Sequence, residues 1–138
     1  MRKRTRSREF ALQVLYQVDI TKESPEVSLQ KFWQAHTDEE VEEEIRSFAE
    51  QLVKGTSEHS DEIDRKISQY AANWQLKRMA VVDRNVLRMS CFELVFCDDI
   101  PPKVSINEAV ELAKKYSGIE AGKFVNAILD KIRLEKNK

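Results

Sequence analysis

The residues best suited to chemistry in this 138-residue chain are cations. Arg4, Arg6 and Arg8 alternate with Thr5 and Ser7 at the N-terminus, ahead of a first helical stripe. Arginine offers paired donors to phosphate and a flat face that stacks on bases, so such an arm suits RNA. The alternative is a solvated tail with no partner. A second group lies near the other end, where Lys114, Lys115 and Lys123 flank Gly118 with Tyr116 and Phe124 close by. Cations beside aromatics combine phosphate neutralisation with stacking, which is what a single strand requires. Tyr116 and Phe124 also fall on apolar stripes, and core packing is the default reading of each. Arg84 and Arg88 interrupt an apolar helix one turn apart. Internal pairing, with Asp83 or with acids of the third helix, is preferred for Arg84. For Arg88 an internal pair and an outward role both stay open.

Other chemistries are poorly supplied. His36 and His59 have no second histidine or cysteine at ligand spacing, so no metal site is expected. Gly55, Gly118 and Gly122 form no phosphate-cradling loop. No serine or cysteine sits in a nucleophile elbow. Cys91 and Cys97 are six positions apart and turn to different helix faces, which fits buried thiols in a reducing cytosol. The run of acids over 38–44 falls where a helix start favours them, and reads as a solvated face. Binding without cofactor or catalysis is the expected class.

The net charge of −1 hides a segregation. Residues 1–18 carry five bases against one acid, residues 19–64 fourteen acids against four bases, and residues 103–138 eight bases against five acids. A polyanion-binding surface is available if the two basic ends meet in space.

The elements that must position these residues are helices. Three glycines and three prolines are too few for the turns of a sheet protein. Seven helices follow from apolar periodicity. The first spans about 5–19 with Phe10, Ala11, Val14, Leu15 and Val18 inward. The second opens at Ser24-Pro25, and the third opens at a Thr37/Glu40 capping box and stops at Gly55. A fourth covers about 58–70, with Trp74 as an anchor after it. The fifth, about 79–97, is apolar nearly all round and therefore central. The sixth opens at a Ser105/Glu108 capping box and ends at Gly118; the seventh runs over about 120–133. The all-α chain makes one domain over 1–138, with a basic arm over 1–8, or two small helical subdomains sharing a core. No stretch approaches the roughly 20 apolar residues of a membrane span, and no signal core follows the basic start. A cytoplasmic protein is expected.

Four segments in series resemble the NusB family of bacterial antitermination factors. They are 8–16 (REFALQVLY), Trp74 with Arg78 and 82–88 (VDRNVLR) leading to 92–94, 101–114 (PPKVSINEAVELAK), and 123–131 (KFVNAILDK). The resemblance implies an all-α fold of two packed subdomains and a role in transcription antitermination, including of ribosomal RNA operons. It implies binding of single-stranded boxA RNA together with the ribosomal protein NusE, within the RNA polymerase antitermination complex. By position, RNA contacts fall on Arg4, Arg6, Arg8, Gln13, Arg88, Tyr116, Glu120, Lys123 and Phe124, and the NusE contact on Asp83. Gln13, Glu120 and Asp83 come from the resemblance alone. The chain departs from the family at Ala127, where glycine is frequent, and at Glu120, where aspartate is common. It also resembles the N-terminal part of certain ribosomal-RNA cytosine methyltransferases, but it has no room for their catalytic domain.

A rival reading is a helical protein–protein adaptor whose acidic third helix carries the interaction, its basic ends serving only to balance charge. A homodimer stays open under either reading.

Overall fold

The computed structural model describes residues 2–36, 40–71 and 75–136; Thr37, Asp38, Glu39 and Trp74 lie outside them. Seven α-helices are present among the described residues: α1 (Lys3–Thr21), α2 (Pro25–Ala35), α3 (Glu43–Glu58), α4 (Ser60–Tyr70), α5 (Val81–Phe96), α6 (Pro102–Ser117) and α7 (Ile119–Lys136). A single 3-10 turn, Leu76–Arg78, precedes α5. The chain divides into two helical units, one ending at Glu58 and one starting at His59. None of the described helices is long and apolar enough to cross a membrane.

In the first unit α1 packs on α2 and α3. Its stripe of Phe10, Ala11, Val14 and Leu15 is buried with Leu29 and Trp33 of α2 and Ile45, Phe48 and Leu52 of α3. Phe10 meets Phe32 and Trp33 edge-on at 5.5 and 5.8 Å, the arrangement that the ring quadrupoles favour. The Ser7 hydroxyl donates to the Ile45 carbonyl at 2.7 Å, a buried tie between α1 and α3. α2 opens as its sequence predicts, with the Ser24 hydroxyl accepting the Val27 N–H and Pro25 in the first turn.

α3 differs at both ends. It opens at Glu43, so Glu40 and Val41 precede it, and Thr37 of the expected capping box lies outside the described residues. Gly55 does not stop it. The helix continues to Glu58 because Gly55 and Thr56 are buried, and burying that last turn outweighs the roughly 1 kcal/mol helix penalty of a glycine. The break comes at His59, whose ring stacks on Phe96 at 4.0 Å.

In the second unit α5 is central, packed against α4, α6 and α7. Val86, Leu87, Met89 and Cys91 have no exposed surface, and Leu94 almost none. Neither cysteine is in a disulfide, and burial pushes the Cys91 thiol up to about 12. Glu93 is buried beside them and accepts a hydrogen bond from the Ser105 hydroxyl at 2.9 Å. Ser105 is therefore not a cap. Pro102 sits at the first helical position and starts α6 four residues early, which frees the serine to satisfy the buried carboxylate. α6 ends at Gly118 with φ +104° and ψ 176°, a conformation essentially confined to glycine. α7 buries Val125, Ile128, Leu129 and Ile132. Ala127 is exposed there, so its departure from the family pattern disturbs no core contact.

Candidate nucleic-acid interface

The basic residues expected to form an arm are the first two turns of α1, which begins at Lys3. Helical spacing then splits them, since residues four apart share a face and residues two apart do not. Arg4 and Arg8 lie over the Phe48 ring at 4.3 and 5.4 Å, while Arg6 lies over Phe10 at 5.2 Å. Cation–π contact fixes these guanidinium groups against the core of the unit. Arg4 is exposed and Arg6 half-buried. Arg8 is only 2% exposed and so offers the least surface of the three. Lys3 is held by Glu42 at 2.9 Å and Glu44 at 3.2 Å, and its pKa is raised chiefly by the Glu42 hydrogen bond. Gln13 is exposed two turns beyond Arg6 on nearly the same helix face.

In the second unit the α6–α7 turn gathers most of the remaining candidates. Tyr116 is 45% exposed, more than a core residue would be, with the Lys115 Nζ 5.4 Å from its ring centre. Lys123 and Glu120 are largely exposed and 3.4 Å apart. Phe124 is half-buried. Phe124 and Glu120 line a cavity of about 420 Å³ together with Asp83, Arg78 and Met79. Asp83 lies in the first turn of α5, and its Oδ1 is buried with no hydrogen-bond partner among the described residues. The residue that the resemblance assigns to the protein partner and two that it assigns to RNA thus share one cavity.

Arg88 is placed differently. Its guanidinium clasps Asp64 of α4 through two hydrogen bonds, Nε at 2.9 Å and a terminal nitrogen at 3.2 Å, with the side chain 22% exposed. Of its two open readings the internal pair is the one formed, and the bidentate geometry is strong enough to compete with a phosphate. Arg84 donates to the Leu76 and Lys77 carbonyls at 3.3 and 3.4 Å, which ties α5 to the turn before it.

Sequence reasoning missed Asp64 as the mate of Arg88, and Arg78 and Met79 as cavity walls. An acid 24 positions from its partner leaves no local signal. The cavity forms only where the 3-10 turn faces the α6–α7 turn.

Comparison with known proteins gives one answer. The NusB family pattern matches residues 5–133. The transcription antitermination protein NusB of Anaeromyxobacter dehalogenans is 49% identical over 130 residues, covering 94% of this chain and 89% of its own. The T. maritima NusB structure superposes with a TM-score of 0.87 at 40% identity, covering 96% of this chain and 91% of that one. A chain in the crystal structure of the antitermination factors NusB and NusE with dsRNA matches with a TM-score of 0.87 at 31% identity over 98% of both chains.

Proposed function

The chain belongs to the NusB family, and from this we propose that it is an antitermination factor working by binding alone. It holds boxA-type single-stranded RNA of nascent ribosomal RNA transcripts together with NusE. The two units act as one RNA-binding domain over 1–138, each offering its own surface. Arg4, Arg6 and Gln13 serve in the first, and Tyr116, Lys123, Phe124 and Glu120 in the second. Affinity comes from counterion release at the cations, and stacking comes from Tyr116 and Phe124. Asp83 is the NusE contact. A basic or hydroxyl group of the partner would satisfy its carboxylate, at an edge that the RNA also reaches. Two ligands on one body raise each other's effective concentration with no chemical step. Work on nascent transcripts within the RNA polymerase antitermination complex places the protein in the bacterial cytoplasm.

The observation that carries this reading is the cavity shared by Asp83, Glu120 and Phe124 beside the exposed Lys123. The test is filter binding of a boxA-like oligoribonucleotide with and without NusE. Lys123→Ala is expected to weaken RNA in both settings, and Asp83→Ala to weaken only the gain that NusE brings. Retention that ignores both salt and Lys123 would sink the RNA reading. It would favour the adaptor, for which the pairing of Lys3 with Glu42 and Glu44 is the supporting observation.

A further inference from the structure

A second cavity, of about 310 Å³, lies within the first unit between α1 and α2. It is at the low end of the size range of small-ligand sites. Its wall holds a polar group with no structural task. Ser28 is only 4% exposed, yet its hydroxyl has no hydrogen-bond partner among the described residues. The usual outlet for a helical serine is the carbonyl four residues back; here that oxygen, of Ser24, takes only the Ser28 backbone N–H at 3.0 Å. An orphaned buried hydroxyl costs stability that an alanine would not.

Around Ser28 the wall is neutral, flat and rich in hydrogen-bonding groups. Gln13 and Gln17, one turn apart on α1, bring amides that both donate and accept. Phe32 and His36 stack at 4.1 Å and form an aromatic side. His36 donates through Nδ1 to the Phe32 carbonyl at 2.8 Å, which leaves Nε2 outside that bond. The one cation in the wall, Lys31, is closed off by Glu23 at 2.7 Å. Such a lining has no net charge for a phosphate or carboxylate. It suits an uncharged aromatic heterocycle with donors and acceptors on its edge. The charge that a nucleotide also needs stands outside, on Arg6, seven residues before Gln13 and so about 10 Å along the same helix face.

We propose that this cavity receives one unstacked nucleobase of the bound RNA, with Gln13, Gln17 and Ser28 hydrogen-bonding its edge and the Phe32–His36 pair against its ring. The inference rests on the RNA-binding function proposed above and adds a base-reading site to it. It also assigns a purpose to the Ser28 hydroxyl.

The test uses the full chain and a labelled boxA-like oligoribonucleotide, together with copies carrying one abasic nucleotide at each successive position. At one position the loss of the base is expected to weaken wild-type binding about tenfold, the scale of one stacked base. Ser28→Ala and Gln17→Ala should each weaken the intact RNA and erase the penalty at that position. Ser28→Ala should meanwhile melt at the wild-type temperature or above, which separates a lost contact from a damaged fold. Salt-sensitive binding with a flat abasic profile, or a wild-type profile in both variants, overturns the base site alone. If the variants change only NusE retention, the cavity takes a protein side chain and the assignment is wrong. Absence of any RNA binding overturns the parent function as well.

Discussion

Cys91 has no exposed surface, and burial holds its thiol at about 12 against an ordinary value near 9. A group whose pKa is raised by folding gives stability that is complete below its unfolded value and lost as pH climbs toward its folded one. Unfolding free energy should therefore be level up to about pH 9 and fall by roughly 4 kcal/mol toward pH 12. Cys91→Ala should flatten that decline; urea titrations at pH 7, 9 and 10.5 measure it, and an equally steep decline in the variant would assign it elsewhere. The Arg88–Asp64 pair supports a second test. Asp64→Asn removes the charge but keeps the shape, and should cost about 1 kcal/mol, since the pair is partly screened by solvent. It should leave the salt dependence of RNA binding unchanged; a steeper dependence would mean that the released Arg88 takes up a phosphate. At this scale residue type was legible in the sequence and direction was not. Arg4, Arg6 and Arg8 read alike as letters, but the helix lays Arg6 over Phe10 and the other two over Phe48, with Arg4 exposed and Arg8 buried.

Helices were legible wherever a stripe of apolar residues recurred with helical spacing, as in α1, α5 and α7. Their ends were less so, because an end is decided by competition between local signals and burial. Ser105 looked like a cap until Glu93, buried in the neighbouring helix, proved to need its hydroxyl. Gly55 looked like a stop until tertiary burial carried α3 past it. Gly118 is the case where local chemistry prevails. Its backbone lies at φ +104° and ψ 176°, and its N–H closes α6 by donating to the carbonyls of Ala113 and Lys114 at 3.1 Å each. A Cβ there would meet nothing within 4 Å, so the penalty for alanine is conformational and not steric crowding from neighbours. Gly118→Ala is expected to destabilise by about 1–3 kcal/mol. Because this turn sets Tyr116 before it and Lys123 after it, RNA affinity should fall with it. A thermal melt together with RNA titration checks both; a lower melting point with unaltered RNA affinity would show that the turn does not organise the binding surface.

Charge is distributed so that the molecule is almost neutral while its two units carry opposite net charge. The unit ending at Glu58 has nine bases and twelve acids, and the unit from His59 onward has fourteen and twelve. Many of these cations are already engaged, Lys3 with Glu42 and Glu44, Lys66 with Glu135, Lys136 with Asp98. The number available to RNA is therefore far below the twenty-three that the composition shows. If Arg4, Arg6 and Lys123 are the phosphate contacts, three released counterions on a single strand imply a log–log salt slope near −2. Affinity should then drop roughly 20-fold between 50 and 200 mM salt. Replacing Arg4 and Arg6 together by alanine should bring the slope to about −0.7, and Lys123→Ala alone to about −1.4. Losses in both variants would mean that a single RNA draws on both units. A slope unmoved by the α1 arginines would confine the RNA to the second unit, and the basic start of α1 would then serve the fold through Phe10 and Phe48. A slope of zero in the wild type would leave counterion release no part in binding, and with it the case for a nucleic-acid surface.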